Sequence, residues 1–153
     1  MYNPRFSIYH PKSKGNGVAV RMEAQPPTPT KCGGLVVELA PQKGKVNGGF
    51  DVWDWPHKMT VRLSPVEVAE VLSVLIGRQE SIADGKGIFI RTIGKSAVFQ
   101  FYHAISPVPC YCMNISVETE GEGRQTLAIV LTPIEGLALE NGLRGSMSKM
   151  MFG

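Results

Sequence analysis

The residues of this 153-residue chain that are best equipped for chemistry are not spaced for catalysis. His10, His57 and His103 stand singly, two in β-like runs and one beside Pro56. An isolated imidazole, with no nucleophile or carboxylate at a fixed offset, does not make a catalytic constellation. Cys110 and Cys112 form C-x-C, which puts both thiols on one face of a strand. Two thiols fall short of the four ligands of a tetrahedral zinc site and read as strand cysteines. The acids of "ETEGEG" lie in a turn and read as solubilising groups. The chain has no Walker A loop, no G-x-S-x-G elbow and no H-E-x-x-H helix. The expectation is a protein that is not an enzyme, with no cofactor and no metal site.

Aromatic rings interleaved with cations are the stronger pattern. "VWDWPHK" brings Trp53, Trp55 and Lys58 within six residues, in a segment bounded by glycines and Pro56. Tyr9 precedes Lys12 and Lys14, which flank a glycine-containing turn, and Arg21 follows in the next run. Arg91 and Lys95 bracket a second turn, "TIG", with Phe99 and Phe101 on one face of the strand after it. An unpaired nucleic-acid strand needs this mixture: bases stack on rings at roughly 1–3 kcal/mol each, and phosphates meet Lys and Arg. Expected phosphate contacts are Lys12, Lys14, Arg21, Lys58, Arg91 and Lys95. Expected stacking residues are Tyr9, Trp53, Trp55, Phe99 and Phe101. Phe99 and Phe101 suit the core equally well, since alternate apolar residues are ordinary in a half-buried strand. The two tryptophans suit a ligand or a subunit contact better than a core.

Every base has a face to stack, so binding of an unpaired nucleic-acid strand with little sequence specificity is expected, and the family resemblance described below implies that the strand is DNA. It would support replication, recombination or transcription. Single-stranded RNA is the alternative within the class, because nothing in the sequence reports on a 2′-hydroxyl. A structural or regulatory subunit acting through its sheets and the Met-rich tail "RGSMSKMMFG" is the alternative outside it.

These side chains must be held by a framework, and the chain writes its helix starts twice. "LSPVEVAEVLSVL" begins at Leu63 and "LTPIEGLALENGL" at Leu131, 68 residues later. Ser64 and Thr132 suit the N-cap, Pro65 and Pro133 the first helical position, and Glu67 and Glu135 complete a capping box. Val68, Val71, Leu72, Leu75 and Ile76 give the first helix one apolar face, and Gly77 a stop. Gly136 and Gly142 weaken the second.

Four β-like runs precede each helix. They are Arg5–His10, Gly17–Ala24, Gly34–Ala40 and Lys58–Leu63, then Gly87–Arg91, Ala97–Ala104, Cys110–Glu118 and Arg124–Leu131. "QPPTPTKCGG" lacks ladder donors and reads as a loop. The segment from Gln42 to His57 reads as a long excursion. The predicted fold is α+β: two four-stranded antiparallel sheets, each followed by a helix (ββββα twice), in a single domain over 1–153 with pseudo-repeats at about 5–77 and 86–145.

Charge divides unevenly between these halves. The net charge is +3, but residues 1–62 hold nine Lys/Arg against four Asp/Glu, and residues 63–153 hold seven against nine. Positive potential gathers in the first half, which suits a polyanion. No apolar run approaches the ~20 residues that span a membrane. An odd number of cysteines and no apolar N-terminal segment lead to the expectation of an intracellular, cytoplasmic or nucleoid location.

The ordered motifs resemble the Whirly family of single-stranded-DNA-binding proteins, akin in fold to the single-strand-binding transcriptional coactivators. "SKGNGVAVRMEAQPPTPT" (Ser13–Thr30) looks like the family's lysine-glycine-lysine strand motif and proline-rich loop. "DWPHKMTVRLSPVEVAEVLSVLIG" (Asp54–Gly77) looks like its tryptophan-containing strand running into the first helix. "LAIVLTPIEGLALENGL" (Leu127–Leu143) is similar to its last strand and second helix. The likeness extends over roughly residues 6–145. It implies two roughly perpendicular four-stranded sheets and a cyclic homo-tetramer in which DNA lies along sheet edges between subunits. Lys14 falls on the first lysine of the motif, whereas Asn16 stands where the family has its second. Trp55 and Lys58 match the segment before the first helix. The lack of a long targeting extension suggests a bacterial or phage setting rather than a plant organelle.

Overall fold

Alternating side chains build the first sheet. The computed structural model describes residues 3–45 and 51–153. Strands β1 (Arg5–His10), β2 (Val18–Gln25), β3 (Gly34–Lys45), β4 (Asp51–Trp53) and β5 (Met59–Leu63) are followed by helix α1 (Pro65–Leu75). The antiparallel order is β1-β2-β3-β5. One row pairs Ile8, Val20, Leu39 and Met59, and the next inward row pairs Phe6, Met22, Val37 and Val61. These residues line the core, while Ser7, Arg21, Glu38 and Thr60 form a row on the other face.

The second sheet repeats the plan. It comprises β6 (Ile88–Thr92), β7 (Lys95–Ala104), β8 (Cys110–Thr119) and β9 (Gly123–Leu131), paired antiparallel in that order, and is followed by α2 (Pro133–Phe152). Two antiparallel four-stranded sheets, each with a helix after it, are thus the architecture the sequence pattern predicts.

One strand was not expected. β3 runs on to Lys45, and on both sides of a bulge between Gln42 and Gly44 it pairs with the short β4. Part of the predicted excursion is therefore sheet, because a strand this long has ladder groups left over after β5 has ended. Residues 46–50 of that excursion lie outside the described residues.

Both capping boxes form. Ser64 Oγ accepts from Glu67 N at 3.2 Å, and Glu67 Oε1 accepts from Ser64 N at 2.9 Å. Thr132 and Glu135 repeat this at 3.1 and 2.9 Å. α1 buries Val68, Val71, Val74 and Leu75, and closes when Gly77 N–H donates to Val74 and Arg78 N–H to Ser73. Ile76, expected on the apolar face, is exposed just past the last turn.

Gly136 has a packing reason for its cost in helix propensity: a Cβ there would overlap the Tyr111 ring. α2 continues through the Met-rich tail to Phe152, with Met150 buried and Met151 and Phe152 exposed. The inner faces of both sheets and the two helices share one apolar cluster.

Candidate nucleic-acid interface

A buried glutamine fixes the first cationic turn. Gln42 Oε1 accepts from the backbone N–H groups of Lys12 and Gly17, each at 2.9 Å, and Gly15 N–H closes on Lys12 O at 2.9 Å. A Cβ at Gly17 would overlap His10 O and the Gln42 side chain, so this close approach requires glycine. The β1–β2 connection is thereby tied to β3, and Lys12 and Lys14 stand exposed on it. Neither lysine has a carboxylate partner among the described residues. At the base of the turn His10 Nε2 meets Glu135 Oε2 at 2.7 Å. Burial raises the Glu135 carboxyl, but hydrogen bonds from Thr132 and His10 outweigh it and hold the group below its ordinary value.

Tyr9, Trp53 and Trp55 lie on the part of the first sheet that carries this turn. Tyr9 is half exposed, and its ring lies 5.8 Å from that of Trp53, tilted by 40°. Trp55 begins a single 3₁₀ turn, Trp55–His57, tied down where Asp54 N–H donates to Pro41 O at 2.8 Å and Asp54 Oδ2 meets His57 Nδ1 at 2.8 Å. The Arg21 guanidinium lies over the Trp55 ring, 4.1 Å from its centroid. Arg21 Nε and Nη2 both reach Glu38 Oε1 at 2.9 Å, and Lys58 Nζ reaches Glu38 Oε2 at 2.7 Å. Burial pushes the Glu38 carboxyl up, yet the hydrogen bonds from Lys58 and Arg21 prevail and its pKa is lowered. Along the same face Arg5 Nε meets Glu23 Oε1 at 2.7 Å and holds Glu23 down as well.

A groove runs from His57, Lys58, Met59 and Thr60 to the second half. Beyond the core the inner faces of the two sheets leave an open space of about 410 Å³. Its apolar lining includes Met59 from β5 and Ile90, Ala97 and Val117 from the second sheet, and both Lys58 and Lys95 border it. Arg91 and Lys95 are exposed beside the two-residue turn between β6 and β7, as expected. The β8–β9 turn adds opposing charge. Glu118 and Glu120 share a surface depression with Arg91 and Lys95, and Glu122 lines the groove itself. The second half is therefore a weaker anion site than its two cations suggest.

Phe99 and Phe101 must be corrected. Both are fully buried, opposite Ile115 and Met113 on β8, and no base can reach their faces in this chain. Strand parity decides this: Phe99 also pairs with the buried Ile88, on the core side of β7. Phe89 on the neighbouring β6 is exposed instead, with Arg91 over its ring at 5.4 Å, and Tyr102 on β7 is exposed as well. The alternation of Phe89 with Ile88 and Ile90 was the available signal. Glu38 and Gln42 gave no signal, since their partners are remote in sequence: Arg21 on β2 and Lys58 just before β5 for Glu38, and the β1–β2 connection for Gln42.

Cys110 and Cys112 lie on one face as expected, half-buried, where burial and the neighbouring Cys112 raise the Cys110 pKa. No group of three or more metal-capable side chains occurs among the described residues.

No known family profile matches the sequence, and no curated protein matches it. Among solved structures, the chain is similar in fold to the crystal structure of WHY1 from Arabidopsis thaliana. The TM-score is 0.76 with 18% sequence identity, over 99% of this chain and 86% of that one. The resemblance to Whirly proteins read from the motifs therefore holds at the level of the fold.

Proposed function

We propose that this protein binds single-stranded DNA, with little sequence specificity and without catalysis, along the outer end of its first sheet and the groove between its sheets. One observation carries the reading: Tyr9, Trp53 and Trp55 lie on the part of the first sheet that carries the exposed Lys12 and Lys14, and Lys58 and Lys95 border the groove. Rings and cations so interleaved match the alternating bases and phosphates of an unpaired strand. The fold likeness and the motif resemblance point the same way. Cellular roles in replication, recombination or transcription follow from the strand and remain part of this proposal, as does an intracellular location.

The protein would act as a homo-oligomer, by family resemblance a tetramer. Ile134, Leu137 and Phe152 of α2 expose apolar side chains that a subunit contact would cover.

A competition titration with single-stranded DNA, duplex DNA and single-stranded RNA of equal length tests the reading. Single-stranded DNA should compete best, and its affinity should fall steeply with salt as counterions are released. Equal or tighter binding of duplex at matched salt would refute the single-strand reading. A preference for RNA would move the function to the alternative within the class.

A further inference from the structure

The cations of the first sheet's outer face are not equivalent. Lys12 and Lys14 project from the β1–β2 turn with no carboxylate partner among the described residues. Arg21 and Lys58 share Glu38, and both carboxylate oxygens are engaged, Oε1 by Arg21 and Oε2 by Lys58. The Glu38 side chain is only 13% exposed, against 33% for Arg21 and 38% for Lys58. The carboxylate therefore lies beneath and the two cations above it. A site that counts two positive charges in sequence carries a net charge of one.

Carboxylate and phosphate oxygens compete for the same guanidinium and ammonium donors. Arg21 has a second support in the Trp55 ring, so its placement does not rest on Glu38 alone.

We propose that Glu38 is a built-in competitor for the strand's phosphate at Arg21 and Lys58, holding affinity and salt dependence below what the cations alone would give. The proposal rests on the strand-binding reading above. On binding, the phosphate takes donors from Glu38, chiefly those of the more exposed Lys58. Each strand contact made here neutralises less charge than one made at Lys12 or Lys14, which gives the site a weak hold beside a strong one.

Glu38→Gln tests this, because the amide keeps an acceptor for Arg21 and removes the charge. Affinity for oligodeoxythymidylate should rise about two- to fivefold at low salt, the size of a partly exposed ion-pair effect. The slope of log affinity against log salt should steepen by up to about 0.7 for a phosphate newly neutralised. Glu38→Asp keeps the charge and should keep the wild-type slope. An unchanged or weakened Glu38→Gln would overturn the proposal and make Glu38 a positioning residue for Arg21 and Lys58. A steeper slope in Glu38→Asp would overturn it too.

A measurement on the wild type covers the case in which the variants do not fold. Saturating oligodeoxythymidylate should shift the Glu38 carboxyl carbon resonance and leave that of Glu140, paired with Arg144 on α2, in place. A stationary Glu38 resonance would overturn the proposal. Failure of the wild type to bind the strand would remove the strand-binding reading and this inference together. Wild-type binding with no effect at Glu38 would remove this inference alone.

Discussion

Removal of the Trp55 ring separates stacking from charge. Trp55 is half-buried on a 3₁₀ turn outside the apolar core, and its identified ring contact is the Arg21 guanidinium at 4.1 Å. Trp55→Ala should therefore fold, losing about 0.5–1 kcal/mol of cation–π attraction and a modest amount of packing. A base stacked on the ring contributes on the order of 1–3 kcal/mol, so affinity for a single strand should fall about 5- to 150-fold. The slope of affinity against salt should stay near the wild-type value, because no charge is removed.

The chain itself supplies an assay. Its two tryptophans, Trp53 and Trp55, both lie in the proposed interface, so strand binding should quench intrinsic fluorescence. In a Trp53→Phe background the signal reports on Trp55 alone. Anisotropy of a labelled strand across a salt series then gives affinity and slope for the alanine variant. A folded Trp55→Ala with wild-type affinity would refute the stacking role. A loss of stability far above the cation–π figure would show that the ring is structural instead.

Three further outcomes are expected. Lys14→Gln, which removes an exposed and uncompensated cation, should lower the salt slope by up to about 0.7 and leave the melting temperature unchanged; titration across salt and thermal melting read the two. Phe101→Ala, in the centre of the core, should cost about 3–5 kcal/mol in chemical denaturation, while the folded fraction retains binding. Glu23, Glu38 and Glu135 have pKa values lowered from 4.5 in the fold. They therefore contribute stability that is present above pH 4.5 and lost as pH falls through their folded values. Denaturation midpoints should drop in that acid window, and Glu135→Gln should flatten part of the drop.

The local grammar of the chain determined most of its framework. Ser-Pro-x-Glu and Thr-Pro-x-Glu carry their own hydrogen-bond partners three residues away, so both helix starts could be read before any tertiary contact was known. Alternation likewise gave eight of the strands, because a strand's two faces differ within its own sequence. The exposure of Lys12 and Lys14 on a glycine-containing turn was legible for the same reason, whereas the groups that fix that turn and the Trp55 segment, Gln42, Pro41 and Arg21, are remote in sequence.

Partners remote in sequence could not be read. Whether Phe99 faces a base or Ile115 depends on which side of β7 meets the core, and only the packing of the second sheet against the helices decides that. The short β4 exists because β3 outruns β5, a fact of register rather than composition. The effective charge of Arg21 and Lys58 was hidden in the same way. Arg21 faces Glu38 from β2 and Lys58 from just before β5, and a carboxylate that lies far off in sequence but 2.7–2.9 Å away in space reduces what the sequence counts as free cation.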